Sequence, residues 1–171
     1  FIEGDLRGAQ RALSEFLRAP GQAQDQSFDA LLYMADIAQR TGRKIVPLTV
    51  DAVARFWSSF RTSRDLAIVG LMLLHGLRSC EVLALSCEDL HVADSQIQVL
   101  GKGNKVRVLP LTPESLDLLD YYLRLERPRN CGPALFVSLK GPARGHRMTP
   151  AGLRSLFRYH RKTTGVAQAN P

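Results

Sequence analysis

Arg78 and Glu81 are charged residues set where the neighbouring sequence is apolar. They fall in His75-Gly76-Leu77-Arg78-Ser79-Cys80-Glu81-Val82-Leu83-Ala84-Leu85, directly after the run from Leu66 to Leu74. A guanidinium among leucines is costly to bury unless it is paired or faces a cleft. Glu81 lies three residues on and can reach it from the same helix face. Two readings fit these residues: an internal ion pair tying down a short helix, or an arginine aimed at an anion and held in place by Glu81. Lys102 is the next candidate, flanked by Gly101 and Gly103 between two alternating segments. It is either a solvated turn lysine or a finger whose glycines let another backbone approach closely. Lys105 and Arg107 add charge beside it, and no acid lies between Asp94 and Glu114. A third group, Arg154, Arg158, Arg161 and Lys162, has the spacing of one helical stripe. His146 and Arg147 come just before that stripe, and Arg144 before them. Leu153, Leu156 and Phe157 form its apolar side. We read the stripe as a helix lying along nucleic-acid phosphates, with an ordinary arginine-rich solvent face as the alternative.

The charge distribution favours a polyanionic partner. The chain of 171 residues has 23 basic and 16 acidic residues, a net charge of +7. Glu126 is the last acidic residue, so the basic side chains after it, from Arg127 to Lys162, have no acid among them. A field of one sign of this kind suits nucleic acid. At 45% hydrophobic the chain can bury a core. No apolar stretch reaches the ~18 residues of a membrane span, and no signal-peptide pattern is present. Cys80, Cys87 and Cys131 are odd in number and lack metal-ligand spacing, so they read as reduced core fillers of a cytoplasmic protein, nucleoid-associated if nucleic acid is the partner.

These residues need elements to position them. Helical spacing covers residues 4–18 and 28–40, and residues 43–48 read as a linker into a second unit. Thr49 is expected to cap a helix to about Phe60, and Ser63 one from Arg64 to about His75 that is apolar on most sides and hence buried. Gly76 breaks it, and a short helix begins near Arg78. The period then changes to two over residues 96–100 and 105–109, which predicts a β-hairpin with a Gly-Asn turn. Thr112-Pro113 and Thr149-Pro150 start two further helices, the second running to Thr164 and closed by Gly165. Residues 134–139 are expected as a short strand. The fold class is therefore mainly α with a small antiparallel β-sheet or hairpin, an α+β unit.

Taken together, HGLRSCEVLALSCEDL, IQVLGKGNKVRVLPLT and MTPAGLRSLFRYHRKTTG resemble, in order and spacing, the tyrosine recombinase (phage integrase) family. The first matches its Gly-Leu-Arg-x-x-Glu-Leu box, with Val82 in place of the leucine. The second matches its Gly-Lys-Gly-x-x-Lys-x-Arg hairpin. The resemblance covers about residues 47–171, the catalytic domain. Residues 1–46 would be the end of a helical core-binding domain with a linker. It implies a tyrosine attack on a phosphodiester of double-stranded DNA, leaving a 3′-phosphotyrosyl link and a free 5′-hydroxyl, with no metal or nucleotide cofactor. Such a reaction gathers negative charge on the phosphate and needs fixed cations and a proton for the leaving oxygen. By the same resemblance Arg78 is the first phosphate-clamping arginine, Glu81 orients it, and Lys102 is the general acid. Lys105, Arg107, Arg144, His146, Arg147, Arg154, Arg158, Arg161 and Lys162 contact DNA.

The sequence departs from the family pattern more seriously than at Val82. The family's His-x-x-Arg box, its later His or Trp and its tyrosine nucleophile all come after the helix that ends near Gly165. None of Tyr33, Tyr121, Tyr122 and Tyr159 stands in the nucleophile's place. The expectation is half an active site, no strand cleavage by these 171 residues alone, and a homotetramer on DNA only for an intact family member. A non-cleaving DNA-binding relative that occupies recombination sites is the alternative.

Overall fold

The structure, a computed structural model, describes residues 48–101 and 103–171. The expected helices over 4–18 and 28–40, the linker before residue 48 and Lys102 lie outside the described residues. The first helix, α1 (Val50–Ser58), starts at Thr49, whose hydroxyl accepts the Ala52 N–H at 3.2 Å. The second, α2 (Ser63–Leu74), is capped by Thr62, one residue earlier than expected. Ser63 is instead the first helical residue. Its N–H and that of Arg64 donate to the Glu126 carboxylate at 2.8 and 2.9 Å. The chain's last acidic residue thus meets the positive end of α2. As the apolar pattern required, α2 is buried along most of its length, from Leu66 to Leu71.

A short helix, α3 (Ser79–Ala84), follows. Three strands come next: β1 (Leu90–His91), β2 (Gln96–Leu100) and β3 (Val106–Pro110), antiparallel in that order. The hairpin was expected; β1, only two residues long, is too short to show a period. Gly103 and Asn104 both take positive φ, +75° and +59°, as the turn demands. Ile97 and Val99 point into the core. On β3 the usual preference is reversed: Val106 and Val108 face solvent, and Arg107 lies on the inward face beside Leu109. The reason is an acid waiting beneath it, described below.

The next helix, α4 (Pro113–Tyr121), continues into a single π-helical turn, Tyr122–Glu126. The last, α5 (Pro150–Thr164), begins at Thr149 and ends at Gly165, left-handed at φ +71°. Both boundaries agree with the sequence. The expected strand over 134–139 does not form. Only isolated bridges occur there, Ser86 with Ala134, Val137 with Arg147 and Ser138 with Arg144. Ala134 to Val137 are nevertheless buried, so it is burial of an irregular segment that gives this stretch its apolar character. Tyr122 supplies hydrogen bonds that a ladder would have given: its hydroxyl donates to Leu135 O at 3.0 Å and accepts from Val137 N at 3.1 Å.

One core joins these elements, built on Trp57, Phe60, Leu66, Ile68, Leu71, Ile97, Leu119, Phe136, Leu153 and Phe157. The cysteines serve it only in part: Cys87 packs against it, as expected, and Cys80 and Cys131 do not belong to it. Cys80 is exposed, and Cys87 and Cys131 are only half-buried; all three are free thiols. Cys80 follows the α3 start directly and faces the cleft beside it, which explains its exposure.

Candidate active site

At the start of α3, Arg78 has an extended backbone, and its carbonyl takes the first helical hydrogen bond, from Val82 N at 3.0 Å. Glu81, in the third helical position, reaches back so that its Oε2 accepts the Arg78 N–H at 2.9 Å. This is half of a capping box, and it fixes where the Arg78 side chain leaves the backbone. The Arg78 Nη1 also donates to Glu81 Oε1 at 3.1 Å. Glu81 is the deeply buried partner, with 4% of its side chain exposed against 69% for Arg78. The sequence had placed the guanidinium among the apolar residues. The structure buries the carboxylate instead and leaves the arginine in solvent, where it needs no compensation for desolvation.

Arg107 is the stronger partner of Glu81. Its Nη1 donates to Oε1 at 3.0 Å and its Nη2 to Oε2 at 2.8 Å, a two-pronged fork from β3 onto α3. Each Glu81 oxygen therefore accepts two hydrogen bonds. The Arg107 fork first of all, with the Arg78 N–H and guanidinium, holds the Glu81 carboxyl at about 2, well below the usual carboxylate range, despite its burial. Glu81 in turn raises the Arg107 pKa. Glu81 is a fixed negative charge at any physiological pH. From the sequence, Arg107 was expected to contact DNA and Glu81 to have a single partner, Arg78; the pairing of positions 81 and 107 had no local signal.

The other sequence-selected residues fall into two groups. Arg154, Arg158 and Arg161 line a cleft of about 310 Å³ together with Ser79, Cys80 and Leu83 of α3, and Asn170. The arginine stripe and the segment next to Arg78 thus share one hollow. Arg154, Arg158 and Lys162 are exposed and make no hydrogen bond or ion pair among the described residues. Arg161 is engaged, its Nη1 donating to Ala167 O at 3.3 Å and Asn170 Oδ1 at 2.5 Å. A second cleft, about 560 Å³, is lined by Arg129, Arg144, His146 and Arg147 from the loops at 128–134 and 144–147. Arg147 also donates to the Leu83 and Ala84 carbonyls at 3.2 and 3.3 Å, capping the far end of α3. Lys105 is exposed on the hairpin.

Three groups that could be mistaken for chemistry are structural. Tyr122 is fully buried, and burial pushes its hydroxyl up to about 12, so it is no nucleophile. His160 shares a 2.7 Å hydrogen bond with Ser59 Oγ and stacks at 4.0 Å on Phe60, joining α5 to α1; burial lowers its pKa. Its place after Leu153 and Phe157 on the inward face was a readable signal. His75 shares a 2.9 Å hydrogen bond with Ser115 Oγ. Among the described residues no group of His, Cys, Asp or Glu side chains gathers as a metal site, and no helix is long and apolar enough to cross a membrane.

Comparison with known proteins decides the family. The Phage integrase family model matches residues 47–171. The chain belongs to the phage integrase family. It is 39% identical over 150 residues to tyrosine recombinase XerC of Pseudomonas fluorescens, covering 83% of this chain and 48% of that protein. It is 31% identical over 148 residues to tyrosine recombinase XerD of Listeria monocytogenes, covering 82% and 49%. The chain thus spans about half, or less, of the length of the curated relatives it matches. Among solved structures, XerA recombinase superposes with a TM-score of 0.63 at 28% identity, covering 75% of this chain and 46% of that one. The integrase of mycobacterium phage Brujita shares the fold, with a TM-score of 0.54 at 22% identity over 92% of this chain and 58% of that one. The fold is that of a tyrosine recombinase catalytic domain, mainly helical with a small antiparallel sheet.

Proposed function

We propose that this chain contributes to site-specific recombination of double-stranded DNA, carrying the first part of the active site of a tyrosine recombinase. The observation that carries this reading is Arg78 itself. Its guanidinium is exposed, yet its root is fixed twice by a buried carboxylate, and most of its N–H donors remain free. A fork held in this way suits two non-bridging oxygens of a phosphodiester, and it stabilises the charge that gathers there as the phosphorus becomes pentacoordinate. Lys102 is proposed, on its match to the family motif, as the proton donor to the leaving 5′-oxygen. The α5 cations and the loop cations Arg144, His146 and Arg147 are proposed to follow the DNA backbone. The relatives' activity supports the reading, as do neighbours solved with DNA: XerH recombinase bound to difH substrate and the Tn1549 integrase with circular intermediate DNA.

The test has a binding arm and a cleavage arm. The 171-residue chain should bind duplex DNA with a steep salt dependence, each neutralised phosphate adding ~0.9 to the log–log slope. Arg78→Ala should weaken that binding no more than about tenfold, as expected for one charge-assisted contact. In a polypeptide that also carries the His-x-x-Arg box and the tyrosine, the same change should lower cleavage by ~10²-fold or more, ~3 kcal/mol of transition-state stabilisation. Normal cleavage by Arg78→Ala would overturn the assignment. Preference for single-stranded RNA over duplex DNA would overturn the choice of substrate.

A further inference from the structure

The geometry points to Arg107 as a positioning residue: its fork on Glu81 pins the turn end of the β2–β3 hairpin to the start of α3 and so holds Arg78 in register with the hairpin. The inference rests on the functional reading above and departs from the sequence expectation at one residue, Arg107, which was expected to contact DNA directly. Three observations carry it. Both prongs of Arg107 are used on Glu81, at 3.0 and 2.8 Å, and no other acid among the described residues pairs with them. Glu81 joins α3 to the hairpin and at the same time fixes Arg78 through backbone and side chain. And β3 turns Arg107 inward while Val106 and Val108 face solvent, an orientation that hydrophobicity alone would oppose.

Gly101 is part of the same device. A Cβ at this position would lie 2.8 Å from Arg107 Nη1 and 3.6 Å from Glu81 Oε1. The contact at 2.8 Å is too close, so the guanidinium, at the end of a flexible side chain, would have to shift on the carboxylate. Gly101 is needed here for close approach, and its neighbour in sequence is Lys102. The chain has thus placed a glycine where the fork passes. Gly101→Ala displaces the fork without removing any charge.

A double-mutant cycle on duplex binding by the chain separates positioning from contact. If Arg107 acts through Glu81 and Arg78, Arg107→Met should weaken binding about as much as Arg78→Ala, roughly tenfold or less, and the double variant should bind no more weakly than either single one. Arg107→Lys should behave like Arg107→Met, because a single ammonium cannot span both oxygens. Gly101→Ala should move affinity in the same direction at unchanged net charge. Multiplicative losses, with a further fall of ~0.9 in the salt slope of the double variant, would make Arg107 a phosphate contact and overturn the proposal. Wild-type affinity in Arg107→Met beside a measurable loss in Arg78→Ala would overturn it equally. Should Arg107→Met fail to fold, Gly101→Ala in the Arg78→Ala background completes the cycle. If the wild-type chain did not bind duplex DNA, the functional reading would fail on its own. The Glu81 carboxyl, followed by carbon NMR, would then decide the pinning. A midpoint that rises in Arg107→Met and stays low in Arg78→Ala supports it. No rise in Arg107→Met, or an equal rise in both, refutes it.

Discussion

The Glu81 site and the outer face of α5 are both rich in arginine, yet they treat the charge in opposite ways. At the first, two guanidinia from different elements converge on one carboxylate that is 4% exposed. On the second, Arg154, Arg158 and Lys162 stand in solvent with no partner among the described residues. A fixed fork holds one geometry, whereas a free side chain can adjust to whatever it meets. On the proposed function the difference follows the task. A phosphate undergoing reaction needs preorganised donors, and a phosphate that only anchors the duplex does not.

The largest expected effect comes from removing the acid that makes the first region rigid. Glu81→Gln keeps the shape but leaves Arg107 and Arg78 facing a neutral amide. Breaking a buried pair costs ~3–5 kcal/mol, and since both arginines reach solvent the lower end applies, about 3 kcal/mol in urea unfolding. The pH dependence should mirror this. The Glu81 carboxyl is depressed in the folded state to about 2, so its contribution is present above the unfolded carboxylate value of 4.5. It is lost as pH falls through about 2, because the unfolded chain takes up the proton first. Wild type should therefore lose more stability than Glu81→Gln across that window, by an amount on the order of 3 kcal/mol. Parallel curves would mean that Glu81 is not the fixed charge its contacts indicate.

The second region should respond in the reverse sense. Arg154→Ala and Arg158→Ala should each change stability by less than ~0.5 kcal/mol, as exposed unpartnered side chains do. Each should lower the salt slope of duplex binding by ~0.9, and the two losses should add. A stability loss above ~2 kcal/mol from either would erase the contrast between the regions.

How far the sequence revealed these regions follows from the range of the interactions. The α5 helix was legible at both ends because Thr149, Pro150 and Gly165 act on the backbone nearest to them. The Arg78–Glu81 contact was legible because it spans one turn. The Arg107–Glu81 fork joins residues 26 apart in the chain, and no local period records it. The same blindness explains the stretch 134–139: its apolar residues are real, but their backbone is satisfied by Tyr122, Leu85 and Met148 rather than by a strand ladder. Burial of Glu81 rather than Arg78 also depends on what covers α3, a tertiary fact.

Arg161 belongs to the stripe by spacing but to neither region by contact, so it gives the smallest and most discriminating prediction. Its Nη1 hydrogen bonds to Ala167 O and Asn170 Oδ1 are exposed and tie α5 to the segment beyond Gly165. That segment is also anchored by buried Val166 and Ala169. Losing exposed hydrogen bonds while the apolar anchors remain should cost only ~0.5 kcal/mol. Because its guanidinium is already engaged, Arg161→Ala should lower the salt slope by clearly less than the ~0.9 expected for a free contact such as Arg154. An equal fall would mean that the tail releases Arg161 to the phosphates on binding. The boundary between partnered and free arginines would then be set by DNA rather than by the fold.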